Sequence, residues 1–327
     1  MKQHYIPRCY LKRFSDNDKC IYAYDKQHSK KYQASLMSVC VEDDMYSISN
    51  DYLEKNKVEN GGRINRLSIE KDHFAKMVEP MFSQLLRTID EIKNEWITNK
   101  EYYRLNFYEK REIALHIVTQ YFRLPQLQEA TIDDYLRMEK AGIDMVKHIM
   151  SIQTGNEAFN NLQIDVECEK PVLHANLTYL NDEVLMDFAD AIANNYWVFW
   201  VSLAQDFYTS DFPLVVEPHV DNVRPTYMDL SQYGSELTYP LSPSIVLSVF
   251  DKHCFTNKAS LDCSFIIADA KEVRRQNMLR YFYATHHVFS YKKDFSLIDF
   301  IYETEKKKHI FMAPNLKSEI VSGLGRY

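Results

Sequence analysis

Glycine is scarce in this sequence, with only 7 among 327 residues. Loops that cradle a nucleotide phosphate need closely spaced glycines, and neither GxxxxGK[ST] nor GxGxxG occurs. The zinc-peptidase pattern HExxH does not occur either. These absences exclude the common nucleotide-binding loops and the HExxH peptidases as explanations of function.

Long apolar runs and paired cysteines are also lacking. No stretch of eighteen uncharged apolar residues occurs, and the basic segment from Lys2 to Arg13 has no apolar core of the kind found in signal peptides. The six cysteines form no CxxC pair, so we expect free thiols rather than disulfides or a structural zinc site. These features predict a cytoplasmic protein with no membrane partner.

The composition is that of a globular protein rather than a disordered one. Hydrophobic residues make up 46% and aromatic residues 13% of the chain, enough to form a sizeable core. The net charge of −7 argues against unspecific coating of nucleic acid, which needs an excess of cations. A local basic groove remains compatible with this charge.

The hydrophobic periodicity changes from helical to strand-like along the chain. Helices are predicted at residues 5–14, 64–96 with a bend at Pro80, 108–124, 127–150, 181–194 and 271–283. Strands are predicted at residues 20–26, 45–49, 196–203, 212–216, 244–250, 264–269 and 287–291.

This order predicts an α+β fold. A helical first half would pack on a mixed or antiparallel β-sheet formed largely by the second half, with a small β unit near the N-terminus. We expect one composite domain over residues 1–327, helix-rich at 60–195 and strand-rich at 196–300.

The first segment with chemical potential is QHYIPRCYLKRFS at residues 3–15. His4 can act as a general acid or base, and Arg8 beside a helix start can hold a phosphate or carboxylate, with Tyr10 as a further contact. Alternatively, the aromatic residues dock the N-terminus on the core while the basic residues stay solvated.

A second segment, TSDFP at residues 209–213, follows a predicted strand. Asp211 at a strand end can serve as an acid, a base or a metal ligand, and Ser210 can contact a substrate. The same residue types also close tight turns through their own backbone, which is the alternative.

The helix predicted at 108–124 has a polar face opposite its apolar one, formed by Glu112, His116, Thr119, Gln120 and Arg123. Such a face is ordinarily solvated, but in a cleft it would offer a carboxylate, an imidazole and a guanidinium. Glu70 and Glu79 are nine residues apart, which places them on opposite sides of a straight α-helix, so they cannot form a carboxylate pair unless Pro80 alters the geometry. We therefore expect Glu79 to be solvated and regard Glu70 as a weak candidate.

The blocks QHYIPRCYLKRFS, YFRLP at 121–125, FYTSDFPLV at 207–215 and YPLSPSIVLSVF at 239–250 occur in one order over nearly the whole chain. In this they resemble the bacterial domain of unknown function family DUF4238. That resemblance implies no chemistry, because the family name assigns none. The setting of such bacterial families suggests a toxin or phage-defence effector.

These residues lead to one functional hypothesis and one alternative. The hypothesis is a phosphodiester-directed hydrolase, such as a nuclease acting on nucleic acid, helped by a divalent ion such as Mg²⁺ or Mn²⁺. Its catalytic residues would be His4, Asp211 and Glu112, and its substrate-binding residues Arg8, Tyr10, Arg123 and Ser210. The alternative is a recognition module without catalysis, whose aromatic N-terminus binds a protein, a peptide or a nucleic acid. The oligomeric state stays open.

Overall fold

The structure is a computed structural model that describes residues 1–57, 63–99, 103–221 and 226–304, and the backbone of 321–322 and 325–326. Within these residues the helices concentrate in the first half of the chain, as predicted. They are α1 (Arg8–Leu11), α2 (Asn50–Lys55), a π-helix (Ile69–Val78), α3 (Glu79–Asn99), α4 (Phe107–Phe122), α5 (Pro125–Thr154), α6 (Lys170–Leu177), α7 (Asp182–Ala193), α8 (Ala270–Tyr283) and α9 (Ser296–Thr304).

The strands concentrate in the second half, which confirms the α+β class. They are β1 (Lys2–His4), β2 (Cys20–Asp25), β3 (Lys30–Ser35), β4 (Val41–Asp43), β5 (Tyr196–Val201), β6 (Thr209–Ser210), β7 (Val215–Pro218), β8 (Ser235–Ser242), β9 (Ile245–Phe250), β10 (Ser264–Ile267), β11 (His287–Ser290), β12 (Val321–Ser322) and β13 (Gly325–Arg326). The small N-terminal β unit is the antiparallel pair β1–β4.

The largest sheet has five strands in the order β10-β5-β9-β8-β7. It is mixed, because β10 runs parallel to β5 whereas the other neighbours are antiparallel. Every residue of β8 and β9 is buried, which explains why β9 is a continuous apolar run rather than an alternating one. This sheet forms one wall of the main core.

A four-stranded sheet, β3-β2-β11-β6, joins the two ends of the chain. Here the prediction of a strand at 45–49 beside β2 was wrong, since β2 lies between β3 and β11. The chain turns sharply on both sides of β4, where Cys40 and Asp44 have positive φ angles of 53° and 54°. Residues 45–49 therefore leave the sheets and lead into α2.

The N-terminal segment begins with a strand, and a helix follows it. The predicted helix start at residue 5 was therefore wrong. Gln3 and His4 pair with β4, and the Tyr5 N–H donates to the Cys40 carbonyl at 3.0 Å. Pro7, with ψ at 139°, is the N-cap, and α1 begins one residue later at Arg8. A strand keeps the His4 backbone extended beside the helices.

Helix α4 lies in the interior. An Asn106–Glu109 capping box begins it, and its last ten residues include buried members of both its apolar and its polar face. His116 is among them, and the C-cap residue Arg123 is fully buried, so the expectation of a solvated polar face was wrong for the C-terminal half. Inside the protein the Arg123 guanidinium donates to the His4 carbonyl, and the Thr119 hydroxyl donates to the Leu115 carbonyl.

The helix predicted at 64–96 changes type rather than simply bending. A π-helix covers Ile69–Val78 and passes directly into α3 at Glu79. Pro80 is the second residue of α3, and because α3 continues the π-helix without a break, its missing N–H removes a hydrogen bond to the preceding turn. The wider π-helical turn comes before this proline.

The six cysteines are free, as predicted. In the part of the chain that the structure describes, no helix combines the length and the apolar character that crossing a lipid bilayer requires.

Candidate functional site

Arg123, at the C-terminal end of α4, is a fully buried guanidinium. Its Nη2 donates to the His4 carbonyl at 2.8 Å and to Glu79 Oε1 at 3.1 Å. The guanidinium also lies 4.0 Å from the centre of the Phe74 ring. Burial lowers the pKa of Arg123, but Tyr46 and Glu79 outweigh that effect and raise it, so the side chain is a fixed internal cation.

The π-helix brings acidic and imidazole side chains toward this cation. Its i→i+5 hydrogen bonds place more residues in each turn than an α-helix does. Two carboxylates nine residues apart, Glu70 and Glu79, therefore both act electrostatically on Arg123. The expectation that Glu79 is solvated was wrong, since it forms the ion pair with Arg123.

Glu70 is the second carboxyl group that acts on Arg123. Its side chain is half-buried, and among the described residues nothing hydrogen-bonds its buried Oε2 atom. Burial raises the pKa of Glu70, while Arg123 and Arg8 act in the opposite direction and Glu79 adds to the rise. The carboxyl group thus holds a proton to higher pH than an ordinary glutamate.

His4 has a defined tautomer. Its Nε2 lies 2.9 Å from the Leu36 carbonyl, which only accepts hydrogen bonds, so the neutral ring carries its hydrogen on Nε2 and leaves Nδ1 basic. Burial lowers the pKa of His4, and the positive charges of Arg8 and Arg123 lower it further. The imidazole is therefore a neutral base near pH 7.

Arg8 supplies the exposed cation of the group. Its Nη1 donates to the sulfur of Met37 at 2.9 Å, and a thioether is a weak acceptor that an anion easily replaces. His73 also belongs here, with a half-buried ring stacked on Tyr179 at 5.9 Å. We call this set the Arg123 site: His4, Arg8, Glu70, His73, Glu79 and Arg123.

Asp211 does not belong to the Arg123 site. Its side chain is buried, and it accepts hydrogen bonds from the backbone N–H groups of Thr285, His286 and His287 at 2.8, 2.6 and 2.9 Å. Three such bonds occupy the carboxylate and fix the turn that leads into β11. These contacts favour the turn interpretation of the TSDFP segment.

Ser210 and Tyr10 are buried as well. The Ser210 hydroxyl donates to the Phe212 carbonyl at 2.8 Å, and the Tyr10 hydroxyl donates to the Pro240 carbonyl at 2.7 Å. Tyr10 also lies 2.7 Å from the Thr209 hydroxyl, so the two predicted segments do meet. They meet through this buried hydrogen bond, away from solvent, and neither the Tyr10 nor the Ser210 side chain is available to a substrate.

Glu112 lies on the exposed side of α4. It borders a groove of about 460 Å³ with Glu109, Glu95 and Met81. Arg123 Nη2 instead contacts Glu79 and His4. Of the seven site residues predicted from the sequence, the structure brings together His4, Arg8 and Arg123.

A divalent ion requires several donors at one point. Within the described ranges, Glu217, His219 and Glu236 are the one such group, with ligand atoms within 4.8 Å of each other. Arg275 already donates to Glu217 and Glu236 at 2.6 and 2.7 Å, so both carboxylates are paired with a guanidinium. The Arg123 site itself offers no comparable preformed donor set among the described residues.

Sequence reasoning missed His73 and undervalued Glu70 and Glu79. The wider π-helical turn brings the two glutamates to one side of the helix. An α-helix with 3.6 residues per turn would place them on opposite sides. A signal was present in the unusual density of charged residues on both sides of Phe74, in IEKDHFAKMVEP.

Comparison with known proteins gives one match. The model of the family described as "Protein of unknown function (DUF4238)" matches residues 2–294. No curated protein matches. No solved structure matches either.

Proposed function

This chain belongs to the DUF4238 family, and we propose that it is a phosphodiester-directed hydrolase with its active site at the Arg123 site. The observation that carries the proposal is a pair of titratable groups with opposite shifts. The pKa of His4 is lowered and that of Glu70 is raised, and the same three charged residues act on both groups. These shifts bring the two pKa values toward each other, so neutral His4 and protonated Glu70 coexist in a larger fraction of molecules than an ordinary histidine and glutamate would.

In the proposed reaction His4 Nδ1 takes a proton from water, which attacks the phosphorus atom. Glu70 gives its proton to the leaving oxygen as the phosphorus–oxygen bond breaks. Each turnover ends with one proton gained by His4 and one lost by Glu70, and exchange with solvent restores both.

The two arginines have different roles in this proposal. Arg8 is exposed and can form charge-assisted hydrogen bonds with the phosphate oxygens. Arg123 is fully buried and acts as a positioning residue, because its Nη2 fixes the His4 backbone and the Glu79 carboxylate. Its charge adds to the positive potential that stabilises the negative transition state.

No proposed step depends on a metal ion, since the Arg123 site lacks a preformed donor set among the described residues. Mg²⁺ or Mn²⁺ as an accessory stays a prediction, and so does a nucleic acid as the substrate. The recognition-module alternative receives no support from Tyr5 and Tyr10, which are buried and not free to stack on a ligand.

The proposal is tested by incubating the purified chain with RNA, single-stranded DNA and double-stranded DNA. Each substrate is tested with EDTA, Mg²⁺ and Mn²⁺. We expect cleavage that falls by about 10² or more in His4→Ala and Glu70→Gln, as for the loss of a general acid or base. Arg8→Ala should mainly raise KM.

Glu112→Gln is the matched control, because it also neutralises a glutamate but borders the separate groove. It should retain wild-type turnover. Cleavage that survives Glu70→Gln, or a folded wild-type chain that cleaves none of the substrates, would overturn the proposal. The toxin or phage-defence setting stays a prediction, which phage challenge of cells expressing the wild-type chain and Glu70→Gln would test.

A further inference from the structure

Among the residues that the structure describes, few cover the C-terminal half of α5. Ala141 is buried, but from residue 142 to 155 Ser151 is the one buried residue. A 3₁₀ turn at Glu157–Asn161 contacts this part, through a 3.0 Å hydrogen bond from Asn160 to Ser151. We call residues 138–154 the α5 arm.

The α5 arm exposes large apolar side chains where a solvated helix would have polar ones. Met138, Met145 and Ile152 are 62%, 55% and 68% exposed, and Val146, Ile149 and Met150 are also exposed. Together they present on the order of 600 Å² of apolar surface, the upper end for the largest patch on a monomeric protein. A patch of this size on one helix indicates an interaction surface.

The spacing of the exposed positions indicates the kind of partner. Residues 138, 142, 145, 149 and 152 follow each other at intervals of four, three, four and three, the heptad pattern of a coiled-coil seam. Gly142 occupies one seam position, and a Cβ placed on it would meet nothing within 4 Å. The seam therefore has a notch at Gly142, open to solvent.

We propose that the α5 arm pairs with the α5 arm of a second copy of this chain, antiparallel, about a two-fold axis. In this register Met145 of the second copy enters the notch at Gly142. Met138 lies at the level of Ile149 of the second copy. Each contact occurs twice, so the assembly closes as a dimer.

The charge of the arm favours a second copy over a lipid surface. Lys140 and Lys147 are balanced by Glu139 and Asp144, so two arms do not repel each other. Helices that lie on membranes are rich in Lys and Arg and carry Trp or Phe on the apolar face, and the arm contains no aromatic residue. The exposed apolar surfaces of two arms add up to at most about 1,200 Å², the lower limit of a specific interface.

Sedimentation equilibrium of the full chain, from micromolar to hundred-micromolar concentration, tests the proposal. The wild type should approach twice the monomer mass, and Met145→Asp or Ile149→Asp should remain monomeric with an unchanged circular dichroism spectrum. Leu203→Asp is the matched control, because Leu203 is 67% exposed but lies off the arm. It should dimerise like the wild type.

Cysteine cross-linking tests whether the two arms pair in antiparallel orientation, and it does not rely on a destabilised variant. After mild oxidation, an equal mixture of the Met138→Cys and Ile149→Cys chains should give a disulfide-linked dimer above the wild-type background. Neither chain alone should do so. A wild type that stays monomeric, with or without binding to anionic vesicles, overturns the proposal, as does efficient cross-linking of Met138→Cys with itself.

Discussion

The Nη2 atom of Arg123 lies 2.8 Å from the carbonyl oxygen of His4. This hydrogen bond joins the first strand to the end of α4, 119 residues away in sequence. The same nitrogen holds Glu79, so one guanidinium fixes three elements around the proposed active site. Stability and activity are thus expected to depend on the same side chain.

Arg123→Met should lower the free energy of unfolding by about 3–5 kcal/mol, because it leaves Glu79 and the His4 carbonyl without their buried partner. Urea denaturation measures this change. Arg111→Met is the control, since Arg111 is partly exposed and lies 3.7 Å from Asp190. Its effect should stay below about 1 kcal/mol. Equal effects of both variants would contradict a structural role of Arg123.

Asp211→Asn should lower the free energy of unfolding by about 2–3 kcal/mol. The asparagine side chain lacks the negative charge that accepts hydrogen bonds from three backbone N–H groups. Its own NH₂ group is also a donor, so it faces other donors without an acceptor. Turnover per folded molecule should not change, since Asp211 lies outside the Arg123 site. A loss of turnover at full folding, measured together by activity and circular dichroism, would instead give Asp211 a role in the reaction.

Acid should destabilise the fold through two buried histidines. Burial lowers the pKa of both His116 and His174 to about 4. Below pH 6.5 the unfolded chain binds protons that the folded chain does not, so stability falls until about pH 4, by up to about 3 kcal/mol for each histidine.

Urea denaturation at several pH values measures this loss. His116→Phe should flatten the dependence, because it removes the titrating group and keeps a ring stacked on Phe82, which lies 5.8 Å away. An unchanged slope in His116→Phe would show that His116 does not contribute.

The proposed reaction has its own pH dependence. Turnover needs neutral His4, so it falls as pH drops through the lowered pKa of that residue. It also needs protonated Glu70, so it falls as pH rises through the raised pKa of that carboxyl. The pH profile of kcat/KM should be bell-shaped, with His4 responsible for the acidic limb and Glu70 for the basic limb. Turnover that still increases from pH 7 to pH 9 would contradict the assignment.

A substitution at Gly234 tests whether the backbone conformation just before β8 of the five-stranded sheet requires glycine. Its φ is +72°, and a Cβ there would lie 2.5 Å from the Val220 side chain. Gly234→Ala should therefore cost about 2 kcal/mol or more in thermal unfolding experiments. Gly155→Ala is the control, because Gly155 has a similar φ of +65° with nothing within 4 Å. It should cost about 1 kcal/mol.

Much of the fold could be predicted because it depends on local periodicity. Helices α4, α5, α7 and α8 and strands β2, β5, β9, β10 and β11 all lie close to their predicted ranges. Strand β8 was not predicted, since its sequence SELTYPLS includes Pro240 and has no strand-like alternation. This strand forms because it pairs with β7 and β9. Such pairing depends on the tertiary structure and not on the local sequence.

The candidate site could be predicted in part. His4, Arg8 and Arg123 were identified from residue chemistry, but Asp211 and Tyr10 show the same chemistry in a sequence and are buried in the structure with their partners satisfied. Burial depends on distant segments, which local patterns do not reveal. With 3.6 residues per turn, Glu70 and Glu79 were predicted on opposite sides of the helix. The sequence pattern does not distinguish a π-helix from an α-helix at this point.

The pairing of β2 with β11 has a consequence for synthesis of the chain. Residues 20–25 leave the ribosome long before the neighbour that completes their sheet, residues 287–290. Until then the backbone N–H and C=O groups on one edge of β2 have no strand to pair with, and the apolar face of β2 stays exposed. Premature termination before β11 would therefore yield a chain that aggregates or is degraded, and cells would gain most from chaperones during this interval.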